Sequence, residues 1–371
     1  MFEITGEDIA RLNDEDLRTL IGQLCEAEVR GRGGSTSAVT WSGNQNAADE
    51  GIDVRVELPS GTSIDGFVPR PSSGFQVKKG TMPPGKILIE MCPGGKLRRT
   101  IRDLADRSGA YIIVSSGDST ADSALGSRIK KMKEVANDLD SAASLFLDFY
   151  DRGRVATWTR SHPGLVLWAR EKAGRSITGW RAHGAWAYAP EGEAGEYLLD
   201  DQLSFKGGAT KAASELRPLE GIHLVRDLLR EPGKVGRLIG LSGVGKTRFA
   251  QALFDARVGE RSLDPSLAIY TNIANSPVPA PTSLLSDLLA AGLRAILVID
   301  NCGPDLHECL SELCRSTASC VSILTIEYDI QDDQPEGTEV FELKSSSIAL
   351  IEKLIKRRFP TLPSKTPRSS R

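Results

Sequence analysis

The sequence predicts an α/β protein made of two successive α/β units. Strand-length apolar runs alternate with amphipathic helical stretches along most of the chain, the rhythm breaks once over 176–219, and 371 residues are enough for two domains. Hydrophobic residues make up 40% and charged residues 26%, the balance of domains with real cores. No run approaches the ~18 consecutive apolar residues a membrane span needs. The N-terminus is acidic and amphipathic, without the basic start and apolar centre of a secretory leader. Six cysteines show no CxxC spacing and there are only four histidines, which argues against a zinc site and a disulfide scaffold. A reduced, cytoplasmic protein with no membrane partner is expected.

The elements follow in order. Leu17, Leu20, Ile21, Leu24 and Cys25 recur at helical spacing and predict a first helix over 14–30, ended by the glycines at 31–34. Over 52–58, Ile52, Val54, Val56 and Leu58 alternate with Asp53, Arg55 and Glu57, the period of a half-buried strand. A turn-rich hairpin leads to a strand over 75–79. Helices over 101–107, 121–137 and 165–173 and strands over 111–115 and 145–150 complete a first domain over 1–175. Residues 176–219 read as a connector with an aromatic patch, or as a short strand pair belonging to either neighbour. The second domain, over 220–358, has strands over 235–239, 267–271, 295–299, 321–326 and 340–343. Its helices span 246–257, 284–289, 306–314 and 348–356. This alternation implies a parallel, doubly wound sheet. The Pro/Ser-rich tail over 359–371 reads as disordered.

The second domain carries a phosphate loop. Gly240 to Thr247 fits GxxxxGK[ST] between a predicted strand and a predicted helix, the context that gives the motif its meaning. Gly240, Ser242, Gly243, Val244 and Gly245 offer successive backbone N–H groups to phosphates, Lys246 bridges the outer phosphates, Thr247 gives its hydroxyl to Mg²⁺, and Arg248 follows in the binding segment. The apolar run ending in Asp300 supplies a carboxylate for the same metal shell. Asn301 stands where an acid would orient the attacking water, so binding is expected ahead of hydrolysis; Asp305 or Glu327 could substitute from nearby loops. ATP is expected rather than GTP, since no NKxD-type guanine-reading motif is present.

The first domain carries a different set. Asp53 opens one strand, and Gln76 and Lys78 lie two apart on the next, so that both emerge on one face. A carboxylate and a second oxygen ligand for Mg²⁺, with a lysine near the scissile phosphate, is the set that metal-dependent phosphodiester cleavage needs. Glu28, late in the first helix, is placed to add a ligand, with Glu26 as its competitor. Between Arg70 and Arg107 there are nine Lys or Arg against three Asp or Glu, in a chain whose net charge is −3. Such a run is an ordinary solvated face, or a surface for DNA phosphates.

On these residues, 1–175 resembles a PD-(D/E)xK restriction-endonuclease-like domain of the Mrr branch, whose variant signature has Gln in place of the second acid. Residues 220–358 resemble the nucleotide-binding core of STAND NTPases, and RLIGLSGVGKTRFAQALF (237–254) is a close fit. In this order the two are similar to the antiviral STAND (Avs) defence proteins with an N-terminal nuclease effector. The resemblance implies ATP and Mg²⁺ as cofactors and double-stranded DNA as substrate. It also implies a phage protein as trigger and assembly into a homo-oligomer, expected as a tetramer, that switches cutting on. Family members continue through a helical domain, a winged helix and TPR-like sensor repeats; the sequence stops just after the NTPase core, so the sensor is expected to lie outside it. Two other readings stand beside this one. The first is a signalling or scaffold ATPase whose N-terminal domain binds DNA or a partner without cutting. The second is a repair or motor ATPase, against which the lack of a helicase-type motif after Asp300 counts.

Overall fold

Side chains alternate across a strand, and one strand of the first unit is apolar in both directions. Ala110, Ile112 and Val114 enter one hydrophobic cluster and Tyr111 and Ile113 another, so the sheet holding them is covered on both faces. The computed structural model describes residues 3–41, 51–137, 139, 141–187, 205–207, 216–315, 319–328 and 337–344. The expected helix over 348–356, the tail over 359–371 and most of 188–215 lie outside the described residues. Contacts divide the chain into two units. One comprises Met1–Ala185, Asp264–Tyr270 and Ser276–Ala295; the other comprises Trp186–Leu263, Thr271–Asn275 and the chain from Ile296 onward.

Over the first 175 residues the main elements are α1 (Gly6–Arg11), α2 (Asp14–Gly31), β1 (Val39–Trp41), β2 (Val54–Glu57), β3 (Ser72–Lys78), α3 (Pro84–Met91), α4 (Arg99–Asp106), β4 (Ala110–Ser115), α5 (Asp122–Ala136), β5 (Phe146–Asp151), α6 (Arg152–Arg160) and α7 (Pro163–Lys172). The sheet runs β1-β2-β3-β4-β5. Its first two pairings are antiparallel and its last two parallel. Asn13 caps α2 through a bond from Asp16 N at 2.7 Å, and Asp151 caps α6 through a bond from Arg154 N at 2.9 Å. Helix α3 has no counterpart in the sequence reading. It begins at Pro84, where a missing N–H leaves no intrahelical bond unmade, and it buries only Ile87 and Met91.

The remaining elements are β6 (Trp180–Ala182), α8 (His183–Ala187), β7 (Phe205–Gly207), α9 (Pro218–Arg230), β8 (Val235–Ile239), α10 (Lys246–Ala252), β9 (Ala268–Asn272), α11 (Pro281–Ala290), β10 (Ala295–Asp300), α12 (Pro304–Arg315), β11 (Val321–Ile326) and β12 (Thr338–Leu343). The second sheet runs β6-β9-β10-β11-β8-β12-β7. Strand β8 is parallel to both β11 and β12, whereas β7 pairs antiparallel with β12. The sheet is therefore mixed, not wholly parallel as the alternation implied, and the stretch read as a connector or a short strand pair supplies its two edge strands. Among the described residues, no helix is long and apolar enough to cross a membrane.

Helix α10 ends at Ala252, several residues before the apolar periodicity does. The reason is Arg226 of α9, which is fully buried. Its guanidinium donates to the carbonyls of Ala252, Leu253, Asp255, Val258 and Glu260 at 2.7–3.0 Å. Those carbonyls are turned inward to a cation, so the helix cannot continue through them. Arg226→Met should strand them without donors and cost about 3 kcal/mol or more; a urea midpoint unchanged from wild type would show that the guanidinium is dispensable.

Candidate functional sites

In the first unit the antiparallel register pairs Val54 with Phe75, and Asp53 N donates to Phe75 O at 2.9 Å. Asp53 therefore sits beside Gln76. Its Oδ2 accepts from Gln76 Nε2 and from Val77 N, both at 2.7 Å, and its Oδ1 lies 3.6 Å from Arg18 Nε. A carboxylate only accepts, so the amide must turn its NH₂ toward Asp53 and its oxygen away. Gln76 is 4% exposed, and its Oε1 is buried without a hydrogen-bond partner. On the neighbouring strand Tyr111, paired with Gly74, also holds a buried hydroxyl with no partner. Burial and then the Glu90 carboxylate push the Tyr111 pKa up, with Arg98 opposing and Asp53 adding.

Lys78 Nζ lies 3.1 Å from Glu90 Oε2, and Arg98 Nη2 donates to Glu90 Oε1 at 2.9 Å. Gly51 has φ +86°, and a side chain there would run into the Arg98 guanidinium. Arg98 thus lies over the chain two residues before Asp53 while holding Glu90. Asp53, Gln76, Lys78, Glu90, Arg98 and Tyr111 form one constellation on one side of the sheet.

Glu28 is not part of it. Its Oε1 accepts from Trp158 Nε1 at 2.9 Å and lies 3.7 Å from His162 Nε2. Burial raises its pKa, but the nearby His162 ring and the bond from Trp158 outweigh this and hold it below the usual carboxylate range. The α2 residue that reaches Asp53 is Arg18, ten positions earlier, which is about 15 Å along a helix. Glu26 does not replace it: burial raises its pKa, with Arg30 lowering it and Asp264 raising it. The acid that the structure brings to Lys78 is Glu90, which sequence reasoning missed. Its signal was slight, one carboxylate in the apolar run Ile87 to Met91.

The expected ion needs oxygen donors here. Among the described residues, no group of three or more His, Cys, Asp or Glu side chains could hold a metal. The unpartnered Gln76 oxygen beside the Asp53 carboxylate nevertheless suits a hard, oxygen-seeking, partly hydrated cation such as Mg²⁺. Of the nine cations between Arg70 and Arg107, Lys78 and Arg98 turn inward to Glu90 and the others are exposed.

In the second unit, Thr247 Oγ1 at the start of α10 donates to Asp300 Oδ2 at the end of β10 at 2.7 Å, although β11 stands between β10 and the strand β8 that leads into the loop. Gly243 and Gly245 take φ +80° and +95° with open space where a Cβ would stand, whereas a side chain at Gly240 would meet the Leu343 carbonyl. Val244 is buried and Ser242 exposed. Lys246 Nζ donates to the carbonyls of Gly240 and Leu241 at 2.7 and 2.9 Å, closing the loop on itself. Burial lowers its pKa against the opposing pull of Asp300 and Glu327. The loop's open side and the Thr247–Asp300 oxygen pair fit a nucleotide with its Mg²⁺. Arg248 Nη1 donates instead to Gln251 Oε1 at 3.0 Å, one turn along the helix. Asn301 spends its amide on Asn272 at 2.9 Å. Of the acids considered for orienting water, Glu327 is the one electrostatically coupled to Lys246, while Asp305 is exposed.

No family model and no curated protein matches the sequence.

Thr247→Ala and Asp300→Ala should each weaken Mg²⁺–nucleotide binding. Together they should cost less than the sum, by a coupling of about 0.5–3 kcal/mol. Strict additivity in calorimetric titrations would show that the pair does not work as one metal-holding unit.

Proposed function

We propose that the protein is an antiphage effector in which an ATP-binding STAND-type module gates a Mg²⁺-dependent DNA endonuclease. The observation that carries the cleavage half is the Gln76 oxygen, buried without a partner beside Asp53 and two positions before Lys78. Asp53 and Gln76 hold the ion, and Lys78 faces the scissile phosphodiester. Mg²⁺ there would stabilise charge on the phosphate oxygens and lower the pKa of a bound water. The exposed cations between Arg70 and Arg107 attract duplex phosphates without reading sequence.

The gating half rests on the phosphate loop. Lys246, now on the Gly240 and Leu241 carbonyls, moves to the outer phosphates, and Thr247 and Asp300 hold the accompanying Mg²⁺. Each chain carries one Asp53–Gln76–Lys78 set and a double-strand break needs two, so assembly of nucleotide-loaded copies, triggered by a phage protein, brings cutting sites together.

One observation favours the alternative of a scaffold ATPase that binds DNA without cutting it. Arg18 stands by Asp53, and Lys78 and Arg98 share Glu90, so three cations surround two carboxylates, a balance that suits a phosphate without any metal.

Incubation with plasmid, ATP and Mg²⁺ separates the two. Asp53→Ala and Lys78→Ala should each abolish cleavage while leaving ATP affinity intact, and Lys246→Ala should abolish ATP binding. Cleavage persisting in the Asp53 variant would end the nuclease reading. If wild-type protein retards DNA but never nicks it, even when copies are held together by a fused coiled coil, the scaffold reading stands.

A further inference from the structure

Helix α2 contributes a cation, Arg18, to the Asp53 end of the first site and keeps its late glutamate elsewhere. The site's remaining acid comes from α3. The Glu90 carboxylate is 16% exposed and reaches Lys78 across the sheet face from which Gln76 also emerges. Arg98, which holds the other Glu90 oxygen, lies against Gly51 just before Asp53, so Glu90 and Asp53 flank the same small volume. Two buried polar atoms without partners are found there, the Gln76 Oε1 and the Tyr111 hydroxyl. A buried polar group left unpaired is destabilising. Two on one sheet face, with Tyr111 feeling both the Glu90 and the Asp53 carboxylates, point to a ligand that supplies what the protein does not.

We propose that Glu90 is the second acidic ligand of a divalent-cation site made with Asp53 and Gln76, and that Lys78 is its occupant in the absence of the ion. The inference rests on the endonuclease reading for its purpose but not for its test. Glu90 exchanges the Lys78 ammonium for the cation and stays anchored by Arg98. Lys78 is thereby released to face the phosphate, so one exchange both completes the metal shell and frees the lysine.

Mn²⁺ binding to the full chain without nucleotide, followed by loss of the free-ion electron paramagnetic resonance signal, tests this. An Asp300→Asn background removes the carboxylate of the other site. Glu90→Gln should weaken Mn²⁺ binding about tenfold or more, whereas Glu28→Gln should leave it unchanged. Lys78→Met should tighten it several-fold by removing the competing ammonium, and should not do so once Glu90 is Gln. Wild-type affinity in Glu90→Gln, or no gain in Lys78→Met, overturns the proposal; the second variant decides the matter if the first fails to fold. Tight Mn²⁺ binding that depends on Glu90, together with no cleavage of plasmid under any condition, would leave the cation site standing and remove the nuclease reading. No Mn²⁺ binding by the parent protein would overturn both.

Discussion

The candidate site of the first unit is arranged around one carboxylate oxygen. Asp53 Oδ2 accepts from the Gln76 side chain and the Val77 backbone at the same 2.7 Å, and these bonds do two things. They pin the residue before β2 to the far end of β3, and they turn the Gln76 NH₂ toward Asp53 and its oxygen away, because an acceptor can be met only by the NH₂. The result is a carbonyl oxygen held rigidly in a buried position with its lone pairs unused. A protein interior normally pairs such an atom. That it is left unpaired follows directly from the identity of residue 53.

Charge then distinguishes the two candidate sites. Around Asp53 and Glu90 the protein places Arg18, Lys78 and Arg98, so each carboxylate already has a cationic partner. Around the phosphate loop the roles reverse: Lys246 bonds neutral carbonyls and sits near Asp300 and Glu327. Both lysines are engaged with the protein's own oxygens, at the positions from which each would reach a phosphate. A ligand at either site would therefore have to exchange partners with a lysine already held by the protein, rather than fill an empty space.

A long-range cation also shapes the second unit. Arg226 has no carboxylate among the five carbonyls that receive it, and it converts the end of α10 from helix into a turn wrapped on a guanidinium. That helix carries Lys246 and Thr247 at its start.

Local rules settled much of this molecule from the sequence alone. The apolar spacing of Leu17 to Cys25 marks α2, the two-sided apolar run at Ala110–Ser115 marks a buried strand, and the phosphate-loop glycines announce their own backbone requirements, because each depends on residues within a turn or a few strand positions. Asp53, Gln76 and Lys78 were legible for the same reason: alternation puts Gln76 and Lys78 on one face wherever the strand lies. Three features were decided only by tertiary structure. Residue type and order could not choose Glu90 over Glu28, since which acid meets Lys78 depends on which helix crosses that face of the sheet. The early end of α10 is imposed by a side chain from a preceding helix, against the local periodicity. The antiparallel edge β7 comes from a stretch whose sequence shows no strong period, and it is ordered by pairing with β12. Sequence determines what each segment can be on its own; where a carboxylate, a helix end or an edge strand answers to a distant partner, only the packed chain decides.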